Sequence, residues 1–250
     1  MFNRLMFALF SLLCLAANAQ AEATRGQPIA LLTENFPPYN MAVDGKNFAT
    51  DANIHGIAAD LVREMFNRAG IPYSLTLRFP WERIYKLALE KPGYGVFVMA
   101  RLPEREKQFK WVGPLGPDDW ILLARAGSTI KLESLAQARR YKIGAYKGDA
   151  IQMSLSEKGM HPVIALRDQD NASRLKSGEI DLWATGDPAG RYLACQVGIT
   201  DLKTVLRFNS ASLFLALNKS TPDDVVARLQ KALDELRSQG FVDEVMGRYL

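Results

Sequence analysis

The sequence predicts an α/β fold with largely parallel sheets, and two observations support this class. Short apolar runs such as 29–33 and 95–100 predict buried strands, while Ile57, Leu61 and Met65 recur at helical spacing. Strands and helices then alternate along the chain, which favours helices layered on parallel strands. The composition, with 48% hydrophobic and 23% charged residues, is typical of a folded globular protein.

Local signals define each element. Gly70 ends the first helix, Pro222 opens the last long helix and Gly240 interrupts it. The segment 113–117 is the densest glycine–proline cluster and predicts a linker or the approach to a hinge. The predicted strands are 29–33, 73–78, 95–100, 120–124, 142–145, 163–166, 180–184 and 213–217. The predicted helices run from Ile57 to Gly70, from Trp81 onwards, over 132–138, 151–157 and 172–176, and from Thr221 to the C-terminal region.

The N-terminus predicts a cleavable export signal. Arg4 supplies a short positive start, an apolar run follows over 5–17, and small residues allow cleavage after Ala19 or Ala21. The apolar run is shorter than the roughly 20 residues of a membrane-spanning helix, which disfavours an anchor. We therefore expect a signal peptide over residues 1–21 and a mature protein that works outside the cytoplasm, in a periplasm.

Charge and reactive residues exclude several classes of protein. Loss of Arg4 lowers the formal charge from +4 to about +3, and the scattered basic residues argue against nucleic-acid binding. His55 and His161 lack partners at metal-ligand spacing, and no nucleophilic hydrolase signature is present. Cys195 is left without an intrachain disulfide partner, and we expect it to be buried. We expect no metal, no cofactor and a monomer.

Several short segments in a fixed order carry the functional signal. They are TENFPPY (33–39), GIAADL (56–61), PWER (80–83), PEREK (103–107), KIGA (142–145) leading to Gly148-Asp149, and SGEID (177–181) leading to Asp187. Taken together, they resemble the periplasmic amino-acid-binding proteins, the family-3 extracellular solute-binding proteins of ABC importers. The resemblance covers essentially the whole mature chain.

The resemblance implies a two-lobed periplasmic binding protein-like fold (type II). In that fold two α/β lobes are joined by two crossing strands, and the ligand lies in the cleft between them. By resemblance, lobe 1 would comprise residues 22–115 and 212–250, and lobe 2 residues 116–211. The glycine–proline cluster over 113–117 then falls where the first crossing should lie.

The resemblance also assigns candidate ligand-binding residues. Phe36 and Trp81 match positions where the family sandwiches its ligand, although both could be core aromatics. Arg105 matches the arginine that grips a ligand carboxylate with its planar fork, although it could be a surface residue. Asp187 resembles the acid that receives a ligand amine, with a helix N-cap as the structural alternative. Tyr39, in the first segment, is included in the predicted set.

The sequence departs from the family at two places in this site. Family members place serine or threonine just upstream of the arginine, where this chain has Phe97, Val98, Ala100 and Leu102. Asp149 stands where a small hydroxyl residue normally opens the lobe-2 helix, and its carboxylate would repel an anion or occupy the helix end itself. Ala100 and Asp149 stay in the predicted site by position. The predicted ligand is an amino acid, a modified amino acid, an amine or another small polar molecule.

Three functions follow from these observations. The favoured one is a solute-binding protein, not an enzyme, that presents a small ligand to the permease of an ABC importer. The second is a dehydratase-like enzyme on the same scaffold, with Asp149 and Asp187 as acid and base. The third is an orphan receptor that signals to a membrane partner.

Overall fold

The computed structural model describes residues 27–249, so the predicted export signal lies outside the described residues. The strands are β1 Ile29–Thr33, β2 Met41–Ala42, β3 Phe48–Thr50, β4 Ile54–His55, β5 Tyr73–Arg78, β6 Tyr94–Ala100, β7 Phe109–Arg125, β8 Ile143–Tyr146, β9 Val163–Ala165, β10 Leu182–Asp187 and β11 Leu202–Asn218. The helices are α1 Ile57–Ala69, α2 Trp81–Glu90, α3 Pro103–Glu106, α4 Ala150–Glu157, α5 Asp168–Ser177, α6 Ala189–Gln196, α7 Asp223–Ser238 and α8 Phe241–Tyr249. Short 3₁₀ turns cover Asp51–Asn53 and Leu135–Arg140.

One long sheet organises the molecule, with strand order β3-β5-β1-β6-β11-β7-β10-β8-β9. On one side β1 pairs in parallel with β5 and β6, and on the other β8 pairs in parallel with β9 and β10. At the centre β7 and β11, 17 residues each, run antiparallel and connect the two parallel groups. The prediction of α/β layering is confirmed, and the antiparallel centre matches two lobes joined by crossing strands.

The segment 113–117 is part of a strand, which corrects its interpretation as a linker. It lies inside β7, where Gly116 and Pro117 face Leu213 and Ser212 of β11. Pairing with a long neighbouring strand holds this segment extended, and a register shift in β11 accommodates its irregular backbone. Prolines are compatible with a strand at such irregular positions. The sequence located the crossing, but not that the crossing is a continuous strand.

Buried side chains form separate clusters on the two sides of the central strands. Leu31, Phe66 and Leu233 belong to a large cluster under α1 and α7. Leu122 and Leu182 belong to another, on the side of β8 and α4. Burial of such apolar surfaces, at about 25 cal/mol per Å², is the main stabilising contribution to each lobe. The limits of the lobes within the chain stay a prediction.

Some elements had no clear signal in the sequence. Helices α3 and α6 and the first half of β11 were not predicted. Helix α3 has only four residues and α6 only eight, although Leu193 and Ala194 of α6 are buried. Cys195 is exposed on α6, so the expectation that it is buried was wrong. The short helix ends with Cys195 and Gln196 both outside the core, while Leu193 and Ala194 fill it. Within residues 27–249, no helix combines the length and the hydropathy needed to cross a bilayer.

Candidate functional site

A narrow cavity of about 40 Å³, partly open to solvent, lies at the ends of β1 and β8 and at the starts of α2 and α4. Both groups of strands contribute to it, together with β7 of the central pair. A cleft between two groups of strands with a few convergent polar groups is a typical position for a small-molecule site. The lining residues are Thr33, Glu34, Asn35, Phe36, Asn40, Trp81, Phe97, Val98, Ala100, Arg105, Asp118, Tyr146, Asp149, Ala150 and Leu213.

The structure brings five of the predicted site residues together around this cavity. They are Phe36, Trp81, Ala100, Arg105 and Asp149. Phe36 is half-buried in the turn after β1, and Trp81 is half-buried at the first position of α2. Both aromatics therefore present partly accessible rings to the cavity instead of being enclosed in a core.

Tyr39 does not line the cavity. Its ring is fully buried and stacks on Phe36, with ring centroids 6.2 Å apart. Its hydroxyl donates a hydrogen bond to the carbonyl of Pro117 in β7. Burial, followed by the nearby carboxylate of Asp118, raises the pKa of Tyr39. In this arrangement Tyr39 anchors the crossing strand directly beside Asp118.

Asp187 also lies outside the cavity lining. It ends β10, and its carboxylate forms ion pairs of 3.5 Å with Arg191 and 3.3 Å with Arg207. The residue that precedes α6 as its N-cap is Pro188, so Asp187 does not cap that helix. The cavity thus receives Asp149 but not Asp187, and the acid–base pair of the enzyme hypothesis is not assembled in it.

Arg105 is a buried cation without a carboxylate partner in the described part of the chain. Only 4% of the residue is exposed. Its guanidinium donates weakly to the carbonyl of Ala100, 3.4 Å away, and lies 5.5 Å from the centre of the Tyr85 ring. A buried guanidinium normally requires paired oxygen acceptors, because its desolvation is unfavourable. Arg105 therefore has unused donor capacity at the cavity.

Asp149 caps helix α4. Its carboxylate accepts a hydrogen bond of 3.3 Å from the backbone N–H of Ile151, as an N-cap residue does. Burial raises the pKa of Asp149, while Arg105 and the helix N–H groups of Ala150 and Ile151 lower it. The carboxylate thus occupies the helix end itself, one of the two alternatives that the sequence left open.

Glu34 and Tyr146 connect the two sides of the cavity. The Tyr146 hydroxyl lies 2.7 Å from both carboxylate oxygens of Glu34, which is 8% exposed. Burial raises the pKa of Glu34 to about 7; the Tyr146 hydrogen bond lowers it, and Asp149 and Glu82 raise it. The two parallel groups of strands are therefore in direct contact across the cleft.

Asp118 is the second buried carboxylate of the cavity. It is 5% exposed, and its Oδ2 accepts a hydrogen bond of 3.1 Å from Trp120 Nε1. Its other oxygen, Oδ1, has no hydrogen-bond partner. Burial, and after it the charge of Asp149, raises the pKa of Asp118 to about 7 against the lowering effect of the Trp120 hydrogen bond.

Asn40 presents a second unpartnered acceptor. Its side-chain nitrogen donates to Thr33 Oγ1 at 2.6 Å, and that hydroxyl in turn donates to the carbonyl of Phe97 at 3.4 Å. Because Thr33 uses its single proton on Phe97, it must accept from Asn40, which fixes the amide orientation. The remaining Asn40 Oδ1 is buried without a partner.

A β-bulge shapes the floor of the cavity at Val98. Phe97 and Met99 of β6 pair with Leu215 and Phe214 of β11, so Val98 is left over between them. Its φ of 64° is a left-handed conformation that β-branched residues rarely adopt. Bulges re-aim side chains and are frequent beside functional sites.

Sequence reasoning missed Glu34, Asn40, Asp118 and Tyr146 as site residues. Glu34 and Asn40 flank the double-proline turn after a predicted strand, and Tyr146 follows the strand that enters Gly148-Asp149. Polar residues at strand ends were the available signal for these three. Asp118 had only a weak signal, an Asp-Asp pair between the glycine–proline cluster over 113–117 and the predicted strand over 120–124. Among the described residues, no group of acidic, histidine or cysteine side chains is placed to hold a metal ion.

Comparison with solved structures shows the same fold in several proteins. A histidine kinase sensor domain with similarity to periplasmic binding proteins matches with a TM-score of 0.80 at 19% identity, covering 91% of this chain and 97% of that one. The arginine-, lysine-, histidine-binding protein ArtJ from Geobacillus stearothermophilus matches with a TM-score of 0.75 at 18% identity, covering 90% and 95%. The GluR0 ligand-binding core from Nostoc punctiforme, in complex with L-glutamate, matches with a TM-score of 0.76 at 16% identity, covering 89% and 99%.

At these identities the likeness establishes the fold alone. No curated protein matches the sequence significantly. The profile of the bacterial extracellular solute-binding proteins, family 3, matches residues 29–250, which is most of the chain. This match covers both groups of strands, the crossing pair and every residue of the cavity. The resemblance found in the sequence is therefore confirmed, and the chain belongs to family 3 of the bacterial extracellular solute-binding proteins.

Proposed function

We propose that this protein captures a small polar ligand, an amino acid or a related compound, in the cleft between its lobes. The ligand is then presented to the permease of an ABC importer, after export of the protein to the periplasm. Membership of an extracellular solute-binding family supports capture and export. No catalytic step enters the proposal.

The observation that carries the proposal is the buried guanidinium of Arg105 at the cavity. Its hydrogen bonds to protein atoms are long, 3.4 Å to Ala100 and 4.0 Å to the sulfur of Met153. A ligand carboxylate would supply two oxygens in the geometry that the guanidinium fork prefers. Phe36 and Trp81 would supply apolar contact to the remainder of the ligand.

Export and delivery rest on separate support. The apolar run over 5–17 supports a signal peptide, and the mature protein would then meet its partner outside the cytoplasm. Contact between Glu34 and Tyr146 across the cleft supports closure of the lobes around a ligand, as in other hinge-bending receptors.

A sensory role is the second candidate. It is favoured by the similarity to a histidine kinase sensor domain with a TM-score of 0.80. In that case the closed, ligand-bound form would contact a membrane receptor instead of a permease. Ligand capture is common to both roles.

The test is a thermal-shift screen of the purified protein against amino acids, amines and small carboxylates. We expect at least one compound to raise the melting temperature without being consumed, because a ligand that binds only the native state stabilises it. Lack of a shift across the whole panel would overturn the proposal. Consumption of the compound would instead support the hypothesis of an enzyme on the same scaffold.

Arg105→Lys tests the assigned role directly, with Arg101→Lys as matched control. Lysine keeps the charge but loses the planar fork, so we expect Arg105→Lys to weaken binding of a carboxylate-bearing ligand by about tenfold or more. Arg101 is bound to Glu106 at 2.6 Å outside the cavity, so its variant should bind within about twofold of wild type. Equal effects of the two substitutions would contradict the role of Arg105. Calorimetric titration measures both.

A further inference from the structure

The Asp118 carboxylate is a buried acceptor with unused capacity. Its Oδ1 has no partner, and the residue is 5% exposed on the wall of the cavity. Asp168 is the informative contrast, because Trp183, Thr185 and Asn171 all donate hydrogen bonds to it. A structural buried carboxylate is satisfied in this way, whereas an unsatisfied one indicates a missing donor.

The lack of a side chain at Gly186 leaves space for the unpartnered Oδ1 of Asp118. A Cβ added to Gly186 would lie 2.1 Å from Asp118 Oδ1 and 3.4 Å from Phe36 Cζ. The carboxylate and the aromatic ring therefore flank the same glycine. A carboxylate beside an aromatic ring is a favourable environment for an organic cation, which each of them attracts.

Most of the other polar groups of the cavity are hydrogen-bond acceptors. Asn40 Oδ1 is a second buried acceptor without a partner, and its orientation is fixed by Thr33. Charged lining residues comprise the carboxyls of Glu34, Asp118 and Asp149 against the guanidinium of Arg105. Arg105 lowers the pKa of Asp149, and the three carboxyls outnumber this single guanidinium among the lining residues.

We propose that the cavity selects a ligand of net positive charge, in which an ammonium or guanidinium group binds Asp118. This inference rests on the proposed function and adds the ligand class to it. An ammonium group has three N–H donors, which suits the free oxygens of Asp118 and Asn40. Anionic ligands are disfavoured, since carboxyls outnumber the guanidinium among the lining residues.

Binding of a cation at Asp118 has a pH signature. Burial raises the pKa of Asp118 to about 7, and the charged groups around it, Asp149, Asp119 and Asp168, are all acidic and contribute to the increase. A cation binds the ionised form, so affinity should rise by about tenfold between pH 6 and pH 8 as Asp118 loses its proton. Glu34 also lines the cavity and has a pKa of about 7, so the loss of this dependence in Asp118→Asn, and not its presence in wild type, assigns it to Asp118.

The experiment compares L-lysine with L-norleucine, which has the same chain length but lacks the second ammonium group. Putrescine and L-glutamate complete the probe set. Titration calorimetry on the purified protein should show L-lysine or putrescine binding at least tenfold more tightly than L-norleucine, and no binding of L-glutamate. Asp118→Asn should lower the affinity for the cationic probe by about 30-fold or more and change the affinity for L-norleucine by less than twofold. The variant should also reduce the dependence of the affinity on pH.

Asp119→Asn is the matched control. Asp119 is adjacent on β7 but bonds to Arg207 and Ser210 on the opposite side of the strand, so its variant should bind all probes like wild type. Circular dichroism checks that each variant is folded. Equal affinity for L-lysine and L-norleucine, or equal loss of both in Asp118→Asn, would overturn this inference and leave the proposed function standing. Failure of every probe and of the wider screen would overturn both.

Discussion

Replacing Glu34 with glutamine should make the protein more stable at alkaline pH. The Glu34 pKa is raised to about 7 in the folded protein from 4.5, mainly by burial. A raised pKa means that the folded state holds the proton more tightly than the unfolded state. The stability from this group is therefore present below pH 4.5 and is lost as the pH rises through 7.

The expected size follows from the two pKa values. Between pH 5 and pH 8, linkage predicts that wild type loses about 2 to 3 kcal/mol of unfolding free energy through this one group. Glutamine resembles the protonated acid and can still accept the Tyr146 hydrogen bond. The Glu34→Gln variant should thus be close to wild type at pH 5 and more stable by about 2 to 3 kcal/mol at pH 8.

Urea unfolding at pH 5, 6.5 and 8, followed by circular dichroism, measures this difference. Asn35→Ala is the matched control, because it disturbs the same loop, where Asn35 bonds to Lys46 and Ala42, without removing an ionisable group. Its effect on stability should be the same at all three pH values. A constant difference between Glu34→Gln and wild type across the pH range would refute the reasoning.

Two further substitutions probe the buried network behind the cavity. Asp168→Asn should lower the unfolding free energy by about 2 kcal/mol, because an amide cannot accept all three hydrogen bonds that the carboxylate receives, and urea unfolding checks this. Gly190→Ala should lower the unfolding free energy by about 1 to 3 kcal/mol, because the new Cβ would lie 2.1 Å from the Thr185 methyl. Thr185→Ser removes that methyl, so a double-mutant cycle should recover part of the loss; full additivity would contradict the steric explanation.

Much of the secondary structure could be predicted because periodicity is a local property. Helix α1 combines a continuous apolar stripe with Gly70 in the left-handed conformation at its end, and both signals are visible in the sequence. The first half of β11 was not predicted, although Leu202, Leu206 and Phe208 lie at the alternating positions of a strand and are half-buried. Its pairing with β7 was not predictable, because it joins residues roughly 80 to 90 positions apart in the chain.

The candidate site was predictable to the extent that it follows short motifs. Phe36, Trp81, Arg105 and Asp149 sit at strand ends and helix starts and line one cavity. Their contacts were not predictable. Asp187 has a motif position similar to theirs, yet Arg207 of the crossing strand binds it outside the cavity.

The sequence by itself determined the alternation of strands and helices, the family, and the positions of the aromatic and arginine residues that reach the cavity. These features depend on neighbouring residues in the chain, so a pattern of a few positions is enough to reveal them. Only the tertiary structure decided the charge environment of the cavity. Burial of Glu34 and Asp118, the unpartnered oxygen of Asp118 and the ion pair of Asp187 with Arg207 all arise where distant segments meet. Desolvation and hydrogen bonding act through space, and no local pattern in the chain reports them.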